Sequence, residues 1–161
     1  MLPVGRIGIR AERGDNRMSR LTKDEQITLM TLWAIFRSPL MIGGDLPSND
    51  DFTLKLLTNR EAIQVNQNST GNRELFARGN QIAWVAEVPS SKDKYLAIFN
   101  IGDGSEPVKI TVSWEELGLK DRALRVRDLW LGRDLGIFQQ ETAALVNRHG
   151  AQLYRLSSLP E

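Results

Sequence analysis

The stretch TKDEQITLMTLWAIFRSPLMIGGD, residues 22–45, decides how this chain folds. Thr22 followed by Glu25 has the spacing of a capping box, in which the hydroxyl and the carboxylate each satisfy a backbone N–H left over at a helix start. Beyond it Ile27, Met30, Ala34 and Arg37, beside Trp33 and Phe36, fall at spacings of three and four. That pattern predicts a helix over 23–37 whose broad apolar stripe must pack on something. Pro39 ends it. Leu40-Met41-Ile42 then reads as a strand apolar on both sides, closed by Gly43-Gly44-Asp45. Helix, buried strand and glycine turn in succession are α/β grammar.

Working outward, a second helix is expected to start near Ser48-Asn49-Asp50, where short polar side chains can cap it, and to carry Phe52, Leu54, Leu56 and Leu57. Ala62, Ile63 and Val65 form a short final helical segment before the polar run from Asn66 to Gly71. Upstream, Leu2 to Val4 offers a second strand. Two strands and two amphipathic helices cannot cover both faces of a parallel sheet. The first part therefore asks for more protein around it, and self-association through residues 1–66 is expected.

From Arg73 onward the hydrophobic period becomes that of strands. Residues 73–78 and 81–88 flank Gly79-Asn80, a two-residue hairpin signal because both positions tolerate positive φ. Further strands are expected at 94–101, 107–113, 124–130, 141–147 and 150–157, which together make a compact antiparallel sandwich of about 7–8 strands. The expected organisation is an α/β unit over residues 1–69 followed by an all-β antiparallel sandwich over residues 70–161.

Lys and Arg number 21 against 20 for Asp and Glu, a net charge of +1. Such a balance gives no field that would favour nucleic acid or an anionic membrane, and no apolar run approaches the roughly 20 residues that span a bilayer. Cysteine is absent, which removes disulfides, thiolate metal sites and a cysteine nucleophile together. Met1-Leu2-Pro3-Val4-Gly5-Arg6 lacks the n-region and h-region of a secretory leader. Localisation stays open.

Met1-Leu2 with Val4-Gly5 and Gly8, then Leu32-Trp33-Ala34-Ile35-Phe36-Arg37-Ser38-Pro39-Leu40-Met41-Ile42-Gly43-Gly44-Asp45-Leu46, then Leu56-Leu57-Thr58-Asn59-Arg60-Glu61, Ile63 and Val65-Asn66-Gln67 together resemble glycoside hydrolase family 27. That family holds α-galactosidases and α-N-acetylgalactosaminidases. The resemblance is close over residues 1–67, while the β-rich remainder corresponds to the family's C-terminal domain in size and place. It implies the last units of a (β/α)8 barrel, with Leu40 to Gly43 as the eighth strand. It also implies a retaining mechanism whose two aspartates, at the ends of the fourth and sixth strands, precede this segment, and a substrate that is an α-galactoside-type carbohydrate. By the same resemblance Met1 follows an aspartate on the seventh strand and borders the sugar pocket, and Asp45 sits at the catalytic end of the eighth. The arginine-rich stretch from Arg6 to Arg17 is more similar to bacterial members.

A retaining glycosidase needs two carboxylates about 5–5.5 Å apart. By type the candidates are Glu12, Asp15, Asp45, Asp50 and Asp51. Asp50 and Asp51 read as helix-start residues, and Glu12 and Asp15 sit among five arginines between Arg6 and Arg20 that suggest ion pairs. No catalytic residue is therefore expected in this chain. Met1, Arg6 and Asp45 remain as substrate-binding candidates, Asp45 reading first as an anchor of its own loop. The loop 6–20 reads as a solvated loop or as a contact to substrate hydroxyls. His149, alone and without an acidic cluster nearby in sequence, predicts no metal site, and Gly5, Gly8 and Gly14 make no nucleotide fingerprint, so no cofactor is expected. The alternative is a non-catalytic carbohydrate-binding or interaction module. In that reading Trp114 and Trp130 would be sugar-stacking platforms, while Trp84 reads as core.

Overall fold

The computed structural model of this 161-residue chain describes residues 1–9, 14–119 and 123–159. A short hairpin, β1 (Arg6–Ile7) and β2 (Arg17–Met18), precedes α1 (Lys23–Ile35). After a 3-10 turn at Leu46–Ser48 come α2 (Asp51–Thr58) and α3 (Arg60–Asn68). Eight strands follow: β3 (Thr70–Arg78), β4 (Gln81–Glu87), β5 (Lys94–Asn100), β6 (Val108–Ser113), β7 (Leu124–Asp128), β8 (Arg133–Phe138), β9 (Glu141–Val146) and β10 (Ala151–Ser158). Six of them form an antiparallel sheet in the order β3-β4-β5-β10-β7-β8, and β6 pairs with β9 in a second sheet.

The capping box forms as the spacing predicts. The Thr22 hydroxyl accepts from the Glu25 N–H at 3.2 Å, and the Glu25 carboxylate accepts from the Thr22 N–H at 2.7 Å. The helix ends two residues earlier than the periodicity suggests. Arg37 takes φ +55°, its N–H bonds the Ala34 carbonyl, and the Ser38 N–H reaches back to Trp33. This is a Schellman closure with arginine at the left-handed position that glycine usually fills. The side chain gives a reason: Arg37 Nε and Nη2 donate to the carbonyls of Asn66 and Gln67 at 3.1 and 3.2 Å, where α3 ends and acceptors are left over.

Strand alternation builds a three-layer structure. Ala83, Val85, Leu96, Ile98, Tyr154 and Leu156 face the β6–β9 sheet, meeting Ile110, Val112, Ala144 and Val146 around Trp114. The opposite residues of the same strands, Ala86, Tyr95, Ala97, Phe99 and Leu153, pack against Ala34 and Ile35 of α1 and Ala62 and Val65 of α3. Each fully buried Leu or Ile here contributes about 1.5–3 kcal/mol. A third cluster of Leu2, Val4, Met30 and Leu56 lies under the N-terminal segment.

Two expectations change. Leu40 to Ile42 is not a fully buried strand: Leu2 and Ile42 form a single parallel bridge, and Met41 is 60% exposed. Among the described residues the segment has one strand neighbour, Leu2 to Val4, so the layers that would bury its second face are not supplied. The strand β8 was not anticipated, because Arg133 to Ile137 is exposed throughout and carries Gly136 at φ +121°, leaving no alternation to read.

Candidate functional site

The bridge between Leu2 and Ile42 brings two segments side by side, running the same way. Leu2 N–H donates to Met41 O at 2.7 Å, Gly43 N–H to Leu2 O at 3.0 Å, and farther along Asp45 N–H to Arg6 O at 2.8 Å. Both segments thus turn away at one rim, and Arg6 and Asp45 meet there through backbone. Gly44 is needed for this approach, since a Cβ at that position would sit 2.4 Å from the Val4 carbonyl oxygen. Met1, 80% exposed, lies beside Gly43, whose Cβ position would be 3.3 Å from its own.

The three sequence candidates therefore share one region. The Asp45 carboxylate accepts the Ser48 hydroxyl at 2.5 Å, the loop-anchoring role read first from sequence. Arg6 Nη1 approaches Asn16 Oδ1 at 3.4 Å, and its Nε, like that of Arg17 on β2, is buried without a partner among the described residues. Two donors so placed are unusual, because buried polar groups normally find acceptors. Asp50 caps α2 by accepting from the Thr53 N–H at 2.7 Å, and the Thr53 hydroxyl first, with this backbone N–H next, holds its carboxyl below the usual range. Glu12 lies outside the described residues.

Other chemistry-bearing side chains stand elsewhere. His149 lies at the tip between β9 and β10, with Nδ1 at 3.0 Å from Glu25 and Nε2 at 3.0 Å from Asp103. The Thr22 N–H first, and His149 next, hold the Glu25 carboxyl low, and His149 does the same for Asp103. The Thr28 hydroxyl donates to the His149 carbonyl at 2.7 Å. The histidine thus fastens the sandwich to the start of α1, a role that no local signal in Asn147-Arg148-His149-Gly150 could reveal because both carboxylates are far away in sequence. No group of three or more His, Cys, Asp or Glu suited to a metal ion occurs among the described residues.

Residues 17–68 match the family model for alpha galactosidase A, and residues 78–156 match that for the alpha galactosidase C-terminal beta sandwich domain. The chain belongs to glycoside hydrolase family 27. A family 27 β-L-arabinopyranosidase from Geobacillus stearothermophilus is 42% identical and superposes with a TM-score of 0.90 over 98% of this chain and 36% of its own. Alpha-galactosidase 2 of Arabidopsis thaliana is 34% identical over 85% of this chain and 35% of its own length. The alpha-galactosidase of Coffea arabica is 31% identical over 85% and 36%. The family 27 chain described here thus spans about a third of these relatives' length. It pairs a helical piece of the barrel with the sandwich that follows it.

The tryptophans of this family 27 sandwich are engaged in packing and hydrogen bonds. Trp114 is 1% exposed and its Nε1 donates to the Phe138 carbonyl at 3.2 Å. Trp130 packs against the helices and donates to the Thr31 hydroxyl at 2.9 Å. Trp84 packs partly buried beside Phe36, ring centroids 4.1 Å apart.

Proposed function

We propose that this chain forms the closing part of a retaining glycosidase acting on terminal α-linked galactose or N-acetylgalactosamine, and that both catalytic carboxylates lie outside it. The parallel bridge at Leu2 and Ile42 carries this reading. Where the two parallel segments end, Arg6 and Asp45 are joined through backbone, and Met1 lies beside Gly43, which supports a place for them near the strand ends where barrel enzymes of this type gather their sites. Met1 and Arg6 border the sugar in this reading, and Asp45 shapes the loop beside it. In this reading the barrel piece is residues 1–69 and the sandwich residues 70–161, a division supported by the end of α3 at Asn68 and the start of β3 at Thr70. A β-L-arabinopyranoside is the second candidate substrate, favoured by the 42% identity to the Geobacillus stearothermophilus enzyme. That sugar has the ring hydroxyl pattern of α-galactose without its hydroxymethyl group.

The purified chain is expected to hydrolyse 4-nitrophenyl α-galactoside, α-N-acetylgalactosaminide and β-L-arabinopyranoside no faster than buffer. A chimera in which it follows the preceding portion of the Geobacillus stearothermophilus enzyme is expected to be at least ~10⁶-fold faster, the low end of enzymatic rate enhancement. The preferred substrate of that chimera separates the two sugars. Turnover by the chain alone, lost in Asp45→Asn, would place the catalytic carboxylate inside it and overturn the reading.

Met1, Met41, Leu46 and Leu54 are large apolar side chains of residues 1–66 left exposed. In the isolated chain a second copy covers them, so light scattering at micromolar concentration is expected to give at least a dimer mass, reverting to monomer in Met41→Asp/Leu54→Asp. A monomer mass for the unaltered chain would exclude this.

A further inference from the structure

The face of the six-stranded sheet that α1 and α3 cover is left open toward β7 and β8, and three arginines converge there. On β7, Leu124 and Val126 point into the sandwich, which puts Arg125 and Arg127 on the helix side. On β10, Arg155 stands directly opposite Arg127, and Ser157 opposite Arg125. Like charges facing each other across antiparallel strands repel, so the Arg127–Arg155 pair needs compensation. Glu61 of α3 supplies it for Arg127, accepting from Nε and Nη2 at 2.7 and 2.8 Å, with Asp134 at 3.3 Å from Nη1 and the Gly132 carbonyl at 2.9 Å from Nη2. Asp93 supplies it for Arg155, accepting from Nε at 2.8 Å, and also takes the Ser157 hydroxyl at 2.8 Å.

Arg125 differs from both. It is exposed and makes no hydrogen bond or ion pair among the described residues. The three arginines, with Asp134, Ser157 and Ser158, line a cleft of about 300 Å³. A guanidinium has five N–H donors. Arg127 spends most of its own on Glu61, Asp134 and Gly132, Arg155 keeps part of its set, and Arg125 spends none among the described residues. The lining thus sets three guanidiniums against one carboxylate, that of Asp134, with the hydroxyls of Ser157 and Ser158 beside them. None of its lining residues belongs to the rim around Met1, Arg6 and Asp45.

We propose that this cleft binds an oxyanion, the carboxylate of an acidic sugar or a phosphate group, with Arg125 gripping it in the bidentate manner of a guanidinium fork while Arg127 and Arg155 form its fixed walls. Glu61 and Asp93 act as positioning residues that hold the two walls in place without neutralising Arg125. The site is independent of the barrel chemistry and belongs to the sandwich.

The test is an NMR titration of the purified full chain, following the arginine Nε–H signals, with sodium glucuronate, inorganic phosphate and neutral galactose at constant ionic strength. Saturable shifts are expected with at least one anion and none with galactose. Glucuronate alone would assign a sugar carboxylate, and phosphate alone a phosphate group. Arg125→Gln is expected to weaken binding about tenfold or more, the loss of one charged hydrogen-bonding partner, and Arg125→Lys to recover only part of it. Arg125 is exposed, so coincident thermal melts of variant and parent check that the fold is intact. Shifts equal for galactose and the anions, no saturation by either anion at tens of millimolar, or unchanged binding in Arg125→Gln would each overturn the proposal.

Discussion

Trp114→Ala is expected to destabilise the chain by about 3–5 kcal/mol, the usual cost of removing a large aromatic side chain from a packed interior. Trp114 sits in the sandwich core with Ile110, Val112, Leu117 and Phe138 around it. Its loss empties that volume and leaves the Phe138 carbonyl without the indole donor that now reaches it at 3.2 Å. Trp114→Phe keeps most of the volume and loses the bond, so it should cost much less, about 1–2 kcal/mol. Urea unfolding followed by circular dichroism measures both. A Trp114→Ala midpoint close to that of the parent, together with lost sugar binding, would restore the carbohydrate-platform reading of this residue.

Asn100→Asp is expected to cost about 3–5 kcal/mol at pH 7, from the burial of a charge among acceptors. Asn100 is 1% exposed. Its Nδ2 donates to the carbonyls of Val146 and Asn147, both at 3.1 Å, and its Oδ1 accepts from the Gly102 N–H at 2.9 Å. One amide thus ties the end of β5 to the end of β9, beside the tip that His149 fastens to α1. A carboxylate in its place would face two carbonyl oxygens with nothing to donate. Such an aspartate has a folded-state pKa raised above its unfolded value of about 3.9. The protonated acid can donate, so the penalty should be small in acid and grow as pH rises through the window between the two values. Thermal melts of Asn100→Asp and the parent across that range check the sign, and a penalty that shrinks with rising pH would refute the argument.

The strands and helices whose signals are local were legible in the residues. The capping box at Thr22 and Glu25, the Asp50 start of α2, the Gly79-Asn80 hairpin and seven of the eight sandwich strands lie close to where spacing and turn chemistry put them. The family was legible as well, because a linked set of motifs over residues 1–67 is far more specific than any one of them. Periodicity carried this information because a side chain's face is set by its own backbone repeat.

What only the tertiary structure decided involves residues far apart in the chain. The sequence does not say that Glu25 and Asp103 meet on His149, or that Arg127 and Arg155 stand opposite each other with Arg125 unpaired among the described residues. The alternation Leu124-Arg125-Val126-Arg127 could have marked Arg125 and Arg127 as sharing a face, but not which partner strand would bring a third arginine to them. Nor does local pattern place Trp114, flanked by Ser113 and Glu115, in the core and Met41, within Leu40-Met41-Ile42, in solvent. Burial depends on which layers are present to cover a segment. β6 and β9 close over Trp114, whereas the described residues give Met41 one neighbouring strand.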